Sequence, residues 1–267
     1  VNAADAVLDP PVRAGRDLAA YERAYVASDF EPVQARLRKQ CLLEVLRRWS
    51  PARWIEVGCG LDALFNHHAG GHCTVIEPAA GFAAKARADA ARVARAAPAA
   101  RGAAVSVIEA TLEAAVPRLS AAAPADAIVV GGLLHEVADE AALLAAVRAL
   151  CGPATRVHVS VPNARSLHRL LARAMGLIDE LGAISDRQRR LQQHRTFDAA
   201  SLARTCEAAG FAVVEQGTWI VKPFSHAQMA HLLAIGLLDE PMLQGLVRLE
   251  ADLPGLGSEC WATLVRR

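Results

Sequence analysis

The sequence predicts an α/β fold, in which a parallel sheet lies between layers of helices, and three observations predict it. From residue 54 onward, short apolar runs alternate with longer amphipathic segments. Strand, helix, strand repeated in this way is the pattern of parallel crossover units. A glycine turn closes the first apolar run, at Gly58 and Gly60. The last two runs are separated by a long excursion, which fits an added antiparallel strand better than another crossover.

Taken in order, residues 18–49 read as helical. Leu42, Leu43 and Leu46 recur at helical spacing among charged neighbours, and Pro32, after Asp29 and Glu31, suits the first turn of a new helix after a break. Strands are expected at residues 54–57, 73–76, 105–108, 127–130 and 156–161, with helices between them at 62–67, 81–95, 111–119 and 140–150. The alanine-rich stretch 79–104, interrupted by Lys85, Arg87, Arg92 and Arg95, reads as a surface helix with a loop after it at 98–102. A longer helical region is expected from Pro162 to about residue 193. A helix at 199–209, a strand at 212–217, a helical stretch at 225–251 and a last strand at 260–265 follow.

Composition narrows the function. Of 267 residues, 53% are hydrophobic, enough for a sizeable core. Lys plus Arg is 29 and Asp plus Glu is 28, and no basic stripe with interleaved aromatics is visible. That balance argues against a dedicated binder of nucleic-acid backbones, which needs clustered excess cations. Six scattered cysteines form no CxxC pair, so neither a disulfide framework nor a zinc site is expected. Residues 1–15 hold acids, prolines and arginines without an apolar core, so no signal peptide is expected. No uncharged apolar run reaches the roughly 18 residues of a membrane span. The expected location is the cytoplasm.

The sharpest local signal is Trp54-Ile55-Glu56-Val57-Gly58-Cys59-Gly60-Leu61-Asp62-Ala63. Glycines let backbone approach a ligand closely, and a helix opening there would present free N–H groups. Gly58-x-Gly60-x-x-Ala63 also satisfies the dinucleotide fingerprint, and a plain strand–helix turn needs glycine too. Two acids add context. Glu56 lies beside the turn, where it suits an ammonium group and would repel a pyrophosphate. Glu77 ends the second strand, where a carboxylate can accept both hydroxyls of a ribose. The bland alternatives are a buried Glu56 holding loop N–H groups and an exposed strand-end charge at Glu77.

On these residues the chain resembles the class I S-adenosylmethionine-dependent methyltransferases. Glu56, Gly58 and Gly60 match the family's acidic-x-Gly-x-Gly-x-Gly motif, and Asp62 stands where the third glycine usually lies. Val75-Ile76-Glu77-Pro78 looks like the second-strand acid, and residues 126–137, with Gly131 and His135, look like the fourth strand and its loop. His158-Val159-Ser160-Val161-Pro162-Asn163 resembles the fifth strand of the ubiquinone/menaquinone-biosynthesis-like, small-molecule branch. Ala208-Ala209-Gly210-Phe211 resembles the junction before the sixth. The resemblance implies a three-layer Rossmann-like fold with a seven-stranded, mostly parallel sheet and an antiparallel last strand. It implies an N-terminal helical lid over residues 1–50, and a cofactor domain over 51–267 with helical insertions at about 163–196 and 222–252.

The implied cofactor is S-adenosyl-L-methionine, held by Glu56, Gly58, Cys59, Gly60, Glu77, Pro78 and Gly131. The residue pair that borders the adenine in the family falls on Thr111 and Leu112. Residues 21–38 resemble a lid segment that brings Tyr25 over the cofactor and Arg38 to its carboxylate. His135 and His194 are the candidate catalytic bases, with Asn163 and His168 as alternatives, and Lys222 or His226 is expected to line the pocket. His67, His68 and His72 read as loop histidines, and no metal is expected. The implied activity is methyl transfer to an O or N atom of a small metabolite. A homodimer is admitted as the assembly, and neither nucleic acid nor membrane is a partner. The alternatives are an NAD(P)-dependent oxidoreductase, against which Glu56 counts, and a non-catalytic S-adenosylmethionine-binding protein.

Overall fold

The computed structural model describes residues 17–27, 29–96 and 104–267. The expected loop at 98–102 and the segment 1–15 lie outside the described residues. Seven strands run in the spatial order β3-β2-β1-β4-β5-β7-β6: β1 (Arg53–Val57), β2 (His72–Ile76), β3 (Val105–Ile108), β4 (Ala125–Gly131), β5 (Cys151–Pro162), β6 (Phe211–Trp219) and β7 (Glu259–Arg266). The first five pair in parallel. The last strand, β7, slots between β5 and β6 and is antiparallel to both, as the long excursion before it suggested. In β1 the register sets Trp54 between Cys73 and Ala127 and Glu56 between Val75 and Val129.

These strands read as continuous apolar runs because helices cover both faces of the sheet. On one face Ile55, Val57, Ile128 and Val130 pack under α4 (Leu112–Leu119), α5 (Glu140–Ala149) and α8 (Ala199–Ala208). On the other, Trp54, Val75 and Val129 pack under α2 (Glu31–Trp49) and α3 (Ala80–Ala96). Pro32 lies in the first turn of α2, where its missing N–H has no helical partner to lose.

Three helical expectations change. The segment after β1 is a single 3-10 turn, Leu64–Asn66, and not a helix over 62–67. Glu56 accepts the Leu64 N–H, and the Asp62 carboxylate is taken by the side chains of Lys39, Asn66 and His67. The region after Pro162 holds two short helices, α6 (Leu167–Ala174) and α7 (Asp186–Arg190), in place of one long one. Gly176 and Gly182 interrupt the run between them. The stretch at 225–251 divides likewise into α9 (His226–Ala234) and α10 (Glu240–Arg248), parted by Gly236 in a left-handed conformation.

The first helix and the start of α2 border the C-terminal ends of the strands, and the rest of α2 covers the sheet face. The first helix, α1 (Leu18–Val26), is capped by Asp17 and sets Tyr21 and Tyr25 edge-on to Phe82 of α3, at 6.3 and 5.9 Å between ring centroids. Glu22 accepts the Gly81 N–H at 2.9 Å, and the Gln192 side chain bonds both the N–H and the carbonyl of Asp17. Behind it, α2 is clamped by Phe30 and Leu37 against Met229, Leu238 and Leu243, and by a two-pronged Arg36–Glu240 pair. No helix among the described residues is long and apolar enough to cross a membrane.

One buried group predicts an acid-sensitive fold. His158 on β5 is fully buried and packs against both Trp219 and Trp261, 5.1 and 5.5 Å away, with the two indoles themselves 5.6 Å apart. Burial, helped by Arg48, lowers its pKa to about 3. An unfolded histidine titrates near 6.5, so the unfolded chain binds the extra proton between those values. Stability from this group is complete above pH 6.5 and drains away as pH falls toward 3. His158→Phe keeps the stack and removes the titration. Denaturant unfolding at pH 7 and pH 5 should show wild type losing about 2 kcal/mol more than the variant. Parallel losses would remove His158 as the cause.

Candidate active site

A cavity of about 1380 Å³ opens over the carboxyl ends of β1, β2, β4 and β5, the position where open α/β sheets bind ligands. Its floor is the turn after β1. Gly58 and Gly60 take φ of +77° and +56°, which side chains with a Cβ rarely adopt. A Cβ on Gly60 would meet only the Tyr25 hydroxyl, at 3.9 Å, so the loop presents bare backbone to the cavity beneath the lid tyrosine. Such a cradle fits a flat or close-lying ligand.

Glu77 stands beside this cradle, 5% exposed. Its Oε2 accepts the Gly60 N–H at 3.2 Å and its Oε1 the Ala79 N–H at 2.9 Å, so the carboxylate knits the first two strand ends together. Burial raises its pKa and these backbone donors oppose the rise. The Cys59 N–H and thiol also bond this carboxylate. Cys59, Pro78 and Phe82 complete this end of the cavity.

Glu56 is a different case from the sequence expectation. It lines the cavity, but its two oxygens lie 2.9 and 3.2 Å from the Leu64 nitrogen and hold the loop, the blander of the two roles. Burial lifts its pKa to about 8 despite that donor and Lys39.

Three expected residues are not brought to the cavity. Thr111 caps α4, accepting the Ala114 N–H at 3.4 Å, and Leu112 is buried in the core. The third strand ends at Ile108, so residues 111 and 112 already belong to the next helix. His194 is exposed and outside the cavity lining, and only its backbone contributes, donating to the His135 carbonyl at 3.0 Å. His135 itself is buried in the cavity wall, 3.6 Å from Glu136. The histidines near β2 point apart: His67 to Asp62, His68 against Trp54, and His72 toward Ser106.

The far end of the cavity is built by a buried polar cluster. Arg38 crosses the end of β4, and a Cβ on Gly132 would come within 3.1 Å of its guanidinium, which is why the chain needs glycine there. Its Nε meets both oxygens of Glu259, at 2.7 and 2.8 Å, and its NH2 lies 3.3 Å from Glu31. Burial would lower its pKa, and the two carboxylates outweigh that and raise it. Arg38 therefore fastens α2 to β7 as well as lining the cavity, where the sequence expectation gave it only a ligand carboxylate. Gln34 donates to Ser258 and Glu259, at 2.9 and 2.8 Å. Glu31 also binds Arg187 of α7 at 2.6 Å, with His226 at 3.5 Å, and these partners hold its carboxyl well below the usual range against the effect of burial.

Sequence reading passed over Glu31, Gln34, Arg187 and Glu259. A signal for the first two was present: residues 31, 34 and 38 share one helix face, so their polar groups converge. Nothing local announces Glu259.

A family model described as a methyltransferase domain matches residues 32–216. The chain belongs to this methyltransferase domain family. Solved structures share its fold at low identity. The magnesium protoporphyrin IX methyltransferase of Synechocystis PCC 6803 is 13% identical with a TM-score of 0.56, over 93% of this chain and 94% of that one. A possible histamine N-methyltransferase of Thermotoga maritima is 14% identical with a TM-score of 0.56, over 94% and 99%. The 1,6-didemethyltoxoflavin-N1-methyltransferase of Burkholderia thailandensis is 16% identical with a TM-score of 0.55, over 97% and 93%. No curated protein sequence matches.

Proposed function

We propose that this chain transfers a methyl group from S-adenosylmethionine to an oxygen or nitrogen atom of a small metabolite. The observation that carries the reading is Glu77 set beside a bare glycine cradle, under an aromatic lid, in a cavity larger than one ligand needs. Pockets for single small molecules span roughly 300–1000 Å³, and 1380 Å³ leaves room for donor and acceptor together. Family membership supports it, as do the relatives crystallised with S-adenosylhomocysteine from Synechocystis and Burkholderia thailandensis.

In this reading Glu77 accepts the ribose hydroxyls, Pro78 and Phe82 flank the base, and Gly58, Cys59 and Gly60 carry the amino-acid part. Bound there, S-adenosylmethionine supplies an electrophilic methyl group on a sulfonium. The protein's part is proximity, alignment and exclusion of water. Tyr21 and Tyr25 close the nucleoside end, and the Arg38–Glu259–Glu31 network holds the roof over the acceptor end. His135, on the cavity wall, serves in this reading as the base where the acceptor atom carries a proton. Six free, buried cysteines suit a reducing, cytoplasmic compartment.

A thermal-shift comparison tests the cofactor. S-adenosylhomocysteine should raise the unfolding midpoint and NAD should leave it unchanged, because only a ligand of the folded state stabilises. A rise with NAD and none with S-adenosylhomocysteine would overturn the reading.

A further inference from the structure

The acceptor end holds a buried amine that, among the described residues, no carboxylate pairs with directly. Lys222 lines the cavity and is 1% exposed. Its Nζ lies 3.0 Å from His226 Nδ1 and 5.8 Å from the centre of the Phe30 ring. Among the described residues no ion pair joins it to an acid. The acids nearby are committed elsewhere: Glu259 to Arg38, and Glu31 to Arg38 and Arg187. Arg169, also on the cavity wall, gives its guanidinium to the carbonyls of Leu181 and Ala183, at 2.8 and 2.7 Å. Two cations therefore face this space without a carboxylate of their own.

The backbone is held to place Lys222 there. Ile220, two residues earlier, is buried at φ +63°, a conformation that a β-branched residue adopts only under constraint. Its carbonyl accepts the Ser258 N–H at 2.8 Å, and the next residue, Val221, donates to Leu246 at 2.9 Å. These bonds fix the turn that leaves β6 and sends the lysine inward. A strained segment ending on a buried, unpaired charge in a cavity is the pattern of a ligand contact.

We infer that the methyl acceptor is an acid that presents an oxyanion, a carboxylate or ionised hydroxyl, to Lys222, with His226 positioning the ammonium group from behind. This names the acceptor class within the methyl-transfer reading and rests on it. A buried cation is costly alone, and an anion beside it in a low-dielectric site recovers that cost. Burial and Arg187 on α7 lower the Lys222 pKa to about 7, with Glu31 on α2 and Glu259 on β7 pulling the other way. The other groups facing it titrate lower: His226 on α9 at about 4 and His168 on α6 at about 2, both lowered first by burial. Of Lys222, His226 and His168, only Lys222 titrates near neutrality. Glu56, which titrates near 8, lies at the cradle end.

Calorimetric binding of benzoate and its uncharged isostere benzamide, with S-adenosylhomocysteine present, tests the inference. Benzoate stays ionised throughout the range. It should bind at least about tenfold more tightly than benzamide at pH 6, and weaken by up to about ninetyfold by pH 9 as Lys222 loses its proton. Benzamide should show no such fall. Lys222→Met should bring benzoate to the level of benzamide while S-adenosylhomocysteine binds within about threefold of wild type. The wild-type pH series stands alone if that variant fails to fold. Benzoate bound no better than benzamide, or unchanged from pH 6 to 9, or bound as well by Lys222→Met, would overturn the acid-acceptor assignment while leaving methyl transfer standing. No uptake of S-adenosylhomocysteine by wild type would overturn both.

Discussion

Glu77→Ala should weaken S-adenosylhomocysteine binding about a hundredfold or more, measured by calorimetry on purified protein. The carboxylate offers a diol two charge-assisted hydrogen bonds, each contributing about 1.5–3 kcal/mol, and every 1.4 kcal/mol is tenfold in affinity. Part of the effect is indirect, since Glu77 also accepts the N–H groups of Gly60 and Ala79 that shape the cradle. Glu77→Gln separates the two. Its amide keeps one acceptor oxygen and loses the charge, so it should fall between wild type and Glu77→Ala. A shift of less than about threefold in Glu77→Ala, with the apo unfolding midpoint preserved, would remove the ribose contact from the account.

The second large effect concerns stability. Glu259→Leu should cost about 3 kcal/mol, because it leaves the Arg38 guanidinium buried with only the longer contact to Glu31 and strips Gln34 of an acceptor. For a chain of this size that is a fall of roughly 6–12 °C in the unfolding midpoint. Removing both charges should cost less than removing one, since no buried ion is then stranded. Arg38→Leu combined with Glu259→Leu should therefore recover much of the loss. Additive single and double losses, or a single loss below about 1 kcal/mol, would show that α2 is held over the cavity by apolar packing alone.

Much of the fold was legible because its centre is simple. β3 spans the residues expected of it, and β1, β2 and β4 extend past theirs by no more than two residues at either end. Strands covered on both faces carry one uninterrupted apolar message. The antiparallel β7 followed from the long excursion before it. The turn after β1 was harder to read. Asp62 looked like the first turn of a helix, and its carboxylate instead gathers Lys39 and His67, the former brought by a distant helix.

The candidate site divides along the same line. Glu77 and its glycines are neighbours of strand ends that the pattern locates, and the cavity gathers them with Tyr25 and Gly131. Thr111 and Leu112 were misplaced because a shift of two residues past β3 moves a position from loop to helix. The acceptor end depends on tertiary pairing. Arg38 and Glu259 meet across most of the chain, and no local spacing says that one will neutralise the other. Lys222 was expected near the pocket, yet its isolation shows only once the nearby acids are seen to be paired with arginines.

The most direct test of the central claim is a structure of the chain with S-adenosylhomocysteine bound. The account predicts both ribose hydroxyls within hydrogen-bonding distance of the Glu77 carboxylate, the amino-acid part over Gly58 and Gly60, and the sulfur facing the space between His135 and Lys222. A nucleoside seated elsewhere, with Glu77 still engaged by the protein alone, would contradict it.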